Sequence, residues 1–133
     1  MKVSRFEDLD VWQHARELAR AIYRFTATNT FSRDYGLRDQ MRRASVSIMA
    51  NIAEGFSRKG DREFTQFLFV AKSSAAELQS HAYVALDQQY INEPEFKSVY
   101  DMAEQESKML SNFIKYLSHP TKRSSLPTTQ QTQ

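Results

Sequence analysis

The sequence predicts an all-α fold, an antiparallel up-down-up-down bundle of four long helices. The 133 residues include only three glycines and three prolines, while 41% are hydrophobic. This scarcity of turn residues favours a few long elements over many strands. Apolar residues also recur every three or four positions in four segments, which is the periodicity of amphipathic helices. The short polar breaks between the segments favour antiparallel neighbours.

The first predicted helix begins within residues 6–10 and ends near Thr28. Ser4 and Glu7 have the spacing of a capping box, in which two side chains satisfy backbone N–H groups of the first turn. Residues 29–36 break the helical pattern, so we expect a connection there.

The second predicted helix runs from Tyr35 or Leu37 to Ser57. A short turn follows, and Asp61 is the expected N-cap of the third helix because its carboxylate can accept a hydrogen bond from the first turn. Apolar residues mark the core side of the third helix over residues 64–86.

The fourth predicted helix opens on Glu93 and Pro94, since a proline in the first turn costs no intrahelical hydrogen bond. Its apolar positions end at Leu117. The remaining residues are polar and include proline, which predicts a disordered tail. We therefore expect one bundle domain over residues 1–118 and a tail over residues 119–133.

Composition and motifs argue against several classes of protein. Without cysteine the chain forms no disulfide and no thiolate metal site. No apolar run approaches the roughly 20 residues of a membrane span, and the N-terminal residues lack the apolar segment of a signal peptide, so we expect a cytoplasmic protein. The three histidines lack ligand spacing, and neither a phosphate-binding glycine loop nor a GxSxG motif is present. We therefore predict no metal, no cofactor and no enzymatic activity.

The second predicted helix has two apolar sides. On a helical projection Leu37, Met41 and Ile48 belong to the core stripe, whereas the other apolar side lies next to Arg38 and Arg42. The third helix also carries fewer charges than the exposed helix of a monomer normally does. Burial between the subunits of a homo-oligomer explains both features, and a monomer with scattered surface apolar residues is the alternative. The interface candidates are Val46, Met49, Ala53, Phe56, Phe69 and Tyr83.

A polar flank lies on the opposite side of the core stripe of the second helix. If this flank packs against the third helix, its groups must find partners there, because an unpaired buried polar group is costly. The predicted network sets the register of the two helices and comprises Gln40, Arg43, Ser47, Asn51, Glu54, Ser74 and Glu77. The alternative interpretation is a small catalytic site that uses Glu54, Glu77 and His81.

Basic residues concentrate in the second predicted helix and the turn after it. Residues 37–63 hold six arginine and lysine residues against four acidic ones, whereas residues 64–119 are net acidic. Arginine suits bidentate contact with phosphate. The candidates for nucleic-acid binding are Arg38, Arg42, Arg58, Lys59 and Arg62. The alternative is that these cations only pair with the acidic residues nearby.

Three segments carry a pattern larger than any single helix: FEDLDVWQHARELARAIYRFT, YGLRDQMRRASVSIMANIAEGFSR and EFTQFLFVAKSSAAELQSHAYVALDQQYI. The second segment carries the most specific pattern: Tyr35-Gly36-Leu37, Gln40, Arg43-Ala44, Ser47-Ile48 and Asn51-Ile52-Ala53-Glu54-Gly55, closed by Arg58. Together the segments resemble the four-helix-bundle family named after proteins encoded in 23S rRNA intervening sequences, over residues 6–117. Ser73 departs from the pattern, since the family commonly has glycine there.

The resemblance implies an antiparallel bundle that assembles as a homopentamer and has no established enzymatic activity. A relative at the level of fold is the accessory variability determinant of diversity-generating retroelements, a basic pentamer that binds nucleic acid and works with a reverse transcriptase. The predicted function is therefore a non-enzymatic, ring-like homo-oligomer, a pentamer, that acts as a scaffold for RNA or ribonucleoprotein. The alternative is a protein-binding adaptor without nucleic-acid contact. No membrane partner is expected.

Overall fold

The computed structural model describes residues 3–118, and within that range it contains five α-helices, one 3-10 turn and no β-strand. The predicted all-α class is thus confirmed. The 3-10 turn is Phe6–Asp8, and the α-helices are α1 (Asp10–Thr26), α2 (Asn29–Arg33), α3 (Tyr35–Phe56), α4 (Asp61–Asp87) and α5 (Glu93–Leu117). The tail predicted over residues 119–133 lies outside the described residues.

The start of the chain differs from the prediction. The capping box expected from Ser4 and Glu7 is not formed, because the 3-10 turn intervenes and α1 begins only at Asp10. The Glu7 carboxylate instead accepts a hydrogen bond from Arg5 at 2.8 Å. A capping box does occur at α5, where the Asn92 side chain accepts from the Glu95 backbone and the Glu95 side chain accepts from the Asn92 backbone.

Two connections also differ from the prediction. The break expected over residues 29–36 contains the short helix α2, and Asp34 then caps α3 by accepting a hydrogen bond from the Leu37 backbone at 3.1 Å. Asp61 is the first residue of α4 rather than its N-cap, which is Gly60. Glycine at this position supplies the extended backbone of an N-cap without a capping side chain.

The four long helices pack around one hydrophobic core, in which α3 lies against α1 and α4, and α5 lies against α4 and α1. Leucine, isoleucine and phenylalanine side chains from every helix are fully buried there, and each such burial contributes about 1.5–3 kcal/mol. On α3 the predicted core stripe is confirmed: Met41, Ala44, Ile48, Ile52 and Gly55 are buried, and Leu37 packs partly buried against them.

Gly55 permits the close approach of α3 and α4 near their connection. A Cβ atom at this position would lie 2.8 Å from Phe64 Cδ1 and 2.8 Å from Phe67 Cβ. The absence of a side chain therefore allows the Phe64 ring to enter the core beside α3, where it meets Phe113 of α5 edge-on at 5.2 Å. No helix of residues 3–118 combines the length and apolarity that crossing a membrane requires.

Candidate nucleic-acid interface

The five candidate cations lie in two groups at the two ends of α3. Arg38 and Arg42 belong to its first turns, whereas Arg58, Lys59 and Arg62 follow its last turn. Because α3 has 22 residues, its ends are about 33 Å apart at a rise of about 1.5 Å per residue. Within one chain the cations therefore form two separate patches.

Arg42 is held by two neutral partners. Its Nε donates a hydrogen bond to Thr26 Oγ1 at 2.8 Å, and its Cζ lies 4.6 Å from the centre of the Tyr23 ring. The Thr26 hydroxyl is fully buried and donates in turn to the Ile22 carbonyl at 2.7 Å. No ion pair involves Arg42 within the described residues. This guanidinium is thus held in place without an ion pair to a carboxylate.

Arg38 lies one turn earlier on the same face of α3. It donates to Asp39 at 2.8 Å and to the Ser32 carbonyl at 3.1 Å, and its Cζ lies 4.9 Å from the centre of the Tyr35 ring. We call Tyr23, Arg42, Arg38 and Tyr35 the tyrosine–arginine row. The sequence analysis missed both tyrosines, although the spacing of Tyr35 and Arg38 places them on one helical face.

The carboxylate of Asp39 lies among cations at this end of α3. The pKa of Asp39 is lowered from its ordinary value, first by the hydrogen bond from Arg38 and then by the charges of Arg38, Arg42 and Arg43. Three cations thus surround one exposed carboxylate. Arg43 itself is exposed and forms no hydrogen bond within the described chain. The first turns of α3 thus hold three arginines around the one carboxylate of Asp39.

The other end of α3 is more balanced. Arg58 donates to Glu54 at 3.0 Å, and its Cζ lies 5.0 Å from the centre of the Phe67 ring. Lys59 and Arg62 are exposed and make no ion pair inside the described range. One of the three cations here is therefore matched by an acid, and the other two extend into solvent.

The predicted polar network is represented by three separate contacts. Ser47 is the centre of the first: Asn51 donates to its hydroxyl at 3.1 Å and to its carbonyl at 2.8 Å, and Ser74 of α4 donates to its hydroxyl at 3.1 Å. The second joins Glu54 to Arg58, and the third joins Glu77 to His81 at 3.2 Å.

The other two predicted members, Gln40 and Arg43, are exposed, and their side chains form no hydrogen bond in residues 3–118. The residues of the alternative catalytic site are likewise not joined, since no hydrogen bond in the described chain links Glu54 to the Glu77–His81 pair.

The interface candidates divide into two sets by burial. Val46, Phe69 and Tyr83 are exposed, with 43%, 52% and 51% of their surface accessible. Met49, Ala53 and Phe56 are partly buried, and the first and last of these pack against the core of their own chain. Val70 and Val84 are also exposed apolar residues of α4, and the sequence analysis did not select them.

A hydrogen-bonded pair with a buried carboxyl group, which the sequence analysis also missed, lies between α1 and α5. The Nδ1 atom of His14 is 2.8 Å from Oε1 of Glu106, whose side chain is fully buried. Burial raises the pKa of Glu106 to about 7, and the hydrogen bond and charge of His14 only partly oppose that rise. Its Oε2 is buried without a hydrogen-bond partner among the described residues. The sequence signal was a glutamate on the apolar side of the fourth helix, between Ala103 and Leu110.

No group of three or more histidine, aspartate or glutamate residues within residues 3–118 has the arrangement of a metal site.

Comparison with known proteins gives a family and a fold. The family model described as 23S rRNA-intervening sequence protein matches residues 7–112. The crystal structure of a Bacteroides thetaiotaomicron protein with unknown function, from the S23 ribosomal protein family, superposes with a TM-score of 0.72 at 24% sequence identity, covering 79% of this chain and 98% of that one. No curated protein matches the chain.

Proposed function

The chain belongs to the 23S rRNA-intervening sequence protein family, and from this premise we propose that it is a non-enzymatic scaffold that binds RNA or ribonucleoprotein. In this proposal the four long helices form an antiparallel up-down-up-down bundle. Contacts between α3 and α4 support that topology, since Gly55 lies beside Phe64 close to the connection and Ser47 meets Ser74 further away. Several copies then assemble in the cytoplasm into a ring, and the family resemblance implies five.

Assembly is supported by the outward side of α4. Four large apolar side chains there are 44–52% exposed: Phe69, Val70, Tyr83 and Val84. Between Phe64 and the end of α4 the helix carries only three charged residues, Lys72, Glu77 and Asp87. Large exposed apolar side chains on a helix face with so few charges are a feature of protein-contact sites. With Val46 on α3, it is the surface that we propose lies between copies.

The observation that carries nucleic-acid binding is the charge left unmatched around α3. Arg42, Lys59 and Arg62 form no ion pair in the described part of the chain. Cations that keep their charge attract phosphates and release counterions on binding, which makes the affinity dependent on salt. Repetition of both patches around a ring multiplies this attraction, because linked weak contacts act together.

The test uses the double variant Arg42→Ala plus Arg58→Ala. Binding to a labelled RNA oligonucleotide is measured over a salt series, and assembled mass is measured by light scattering. We expect wild-type affinity to fall steeply with salt, and the double variant to bind more weakly with a salt slope lower by about 1–2. Assembled mass should not change, because neither Arg42 nor Arg58 is one of the apolar side chains proposed to lie between copies; a fall in mass would show that Arg42, one turn from Val46, takes part in that contact.

The matched control is Arg16→Ala plus Lys97→Ala, which removes the same charge from α1 and α5. Equal losses in the two double variants would reduce the effect to net charge and overturn the assignment to α3. Failure of the wild-type protein to bind any RNA or DNA at low salt would remove the nucleic-acid part of the proposal. A monomeric mass at micromolar concentration would remove the ring.

The apolar surface of α4 also favours a second candidate, a protein-binding adaptor without nucleic-acid contact. In that case the wild-type protein is monomeric and binds no nucleic acid, and Phe69 and Tyr83 are available to a different protein. Phe69→Ser then improves solubility without lowering the mass, whereas in the proposed ring it lowers the mass.

A further inference from the structure

The arginines of the tyrosine–arginine row are held in place by specific contacts within the chain. The Nε atom of Arg42 donates to the buried Thr26 hydroxyl, and its guanidinium group lies against the Tyr23 ring. The Nη1 and Nη2 atoms of Arg42 form no hydrogen bond in the described chain. Arg38 is held by the Ser32 carbonyl, the ring of Tyr35 and the exposed Asp39 carboxylate, which its Nε contacts at 2.8 Å, so its Nη2 alone is without a hydrogen bond in the described chain. The two arginines are four residues apart, about one turn of α3.

Both tyrosines leave much of their surface accessible. Tyr35 is 65% exposed and Tyr23 is 45% exposed. Neither hydroxyl forms a hydrogen bond within the described residues, and the arginine beside each ring covers one face. The uncovered ring surface suits a second flat group, and the neighbouring guanidinium supplies the positive charge that an anionic chain carrying flat groups needs.

We propose that the tyrosine–arginine row binds an unpaired nucleic-acid strand, with its phosphates on Arg42 and Arg38 and its bases stacked on Tyr35 and Tyr23. This inference rests on the proposed function and specifies its ligand. A duplex offers phosphates but keeps the faces of its bases inside the stack, so only a single strand uses both parts of the row. An acidic peptide uses the arginines and has no need of the rings.

The Tyr35 position separates stacking from charge and from apolar contact. Tyr35 is the exposed first residue of α3, so substitution there leaves the core unchanged. Tyr35→Phe keeps the ring, and Tyr35→Leu keeps apolar area without the ring. Each protein is titrated into a short labelled oligouridylate, into the matching oligodeoxythymidylate and into the fully paired stem of an RNA hairpin, prepared as a blunt-ended duplex without its loop, while light scattering reports the assembled mass.

We expect Tyr35→Leu to bind either single strand about tenfold more weakly, the effect of losing one stacked base. Its affinity for the hairpin stem and its salt slope should stay at the wild-type level, and Tyr35→Phe should bind all three probes as the wild-type protein does. Equal weakening for single strands and stem, or no weakening at all, overturns the inference and leaves the proposed function standing. A fall in assembled mass overturns it too, since the row is then a contact between copies. A wild-type protein that binds none of the probes overturns both proposals.

Discussion

Glu106 and Arg42 are two ionisable residues with incomplete sets of partners, and their positions give them different consequences. Glu106 is fully buried between α1 and α5, has His14 as its partner, and its pKa is raised to about 7. Arg42 is only partly buried, binds the neutral Thr26 hydroxyl, and is a guanidinium that stays charged at any physiological pH. The buried acid holds its proton up to about pH 7, whereas the partly exposed base is charged throughout this range. The comparison predicts that the stability of the fold depends on pH through Glu106, whereas the charge of Arg42 does not.

The largest expected effect is on the pH dependence of stability, through Glu106→Gln. The folded protein binds the Glu106 proton up to about pH 7, whereas the unfolded chain releases it near the ordinary value of 4.5. Stability from this group is therefore complete below about pH 4.5 and is lost as the pH rises through 7, a difference of roughly 3 kcal/mol. Urea denaturation from pH 4.5 to 8 should show this extra loss in the wild-type protein and not in Glu106→Gln.

Glu104→Gln is the control for that series. Glu104 is an exposed residue of α5 that accepts a hydrogen bond from Gln79. The free energy of unfolding of Glu104→Gln should depend on pH as that of the wild-type protein does. Parallel profiles for the wild-type protein and Glu106→Gln would show that the buried carboxyl does not titrate in this range.

A smaller effect is expected when Glu106 keeps its carboxyl and loses its partner. His14→Phe preserves a ring of similar size but removes the Nδ1 atom that lies 2.8 Å from Glu106. The unpaired buried carboxylate should cost about 1–3 kcal/mol at pH 8, and less at pH 5, where the carboxyl is protonated. Urea denaturation at the two pH values measures the difference. His81→Phe is the control, because its partner Glu77 stays exposed to water; equal losses in the two variants would contradict the role of burial.

Sequence patterns predicted the arginines of α3, but they predicted neither the partners of Arg42 nor the Glu106–His14 pair. The core stripe of α3 and the concentration of arginines were readable because periodicity and charge are local properties of the chain. The pairing of Arg42 with Tyr23 depends on how α1 and α3 cross, and Glu106 meets a histidine 92 positions away. Such contacts need tertiary geometry. The capping box of Asn92 and Glu95 was a local signal and could have been found from the sequence.

The third prediction concerns the Arg42 side of the comparison. Thr26→Val keeps the shape of a buried side chain but removes the hydroxyl that accepts from Arg42 and donates to the Ile22 carbonyl. We expect a loss of about 1 kcal/mol in the free energy of unfolding. The loss should be the same at pH 5 and pH 8, since no titratable carboxyl is involved. Urea denaturation of Thr26→Val, Arg42→Ala and the double variant isolates the contact; additive losses would show that Thr26 does not hold Arg42.

The smallest expected effect comes from Glu54→Gln, which removes the ion-pair partner of Arg58 and leaves that arginine, like Arg42, without one. The Glu54–Arg58 pair is exposed, with 54% and 41% of the two side chains accessible, so its loss should cost at most about 0.5 kcal/mol. Freed from its acid, Arg58 should strengthen RNA binding about twofold at low salt and not at high salt. Asp101→Asn releases Lys97 on α5 and should leave affinity unchanged. If the two variants strengthen binding equally, the position of the added positive charge does not matter. If neither variant strengthens binding, affinity depends on arginines held by neutral partners, as Arg42 is, and only the Arg42 end of α3 contributes to it.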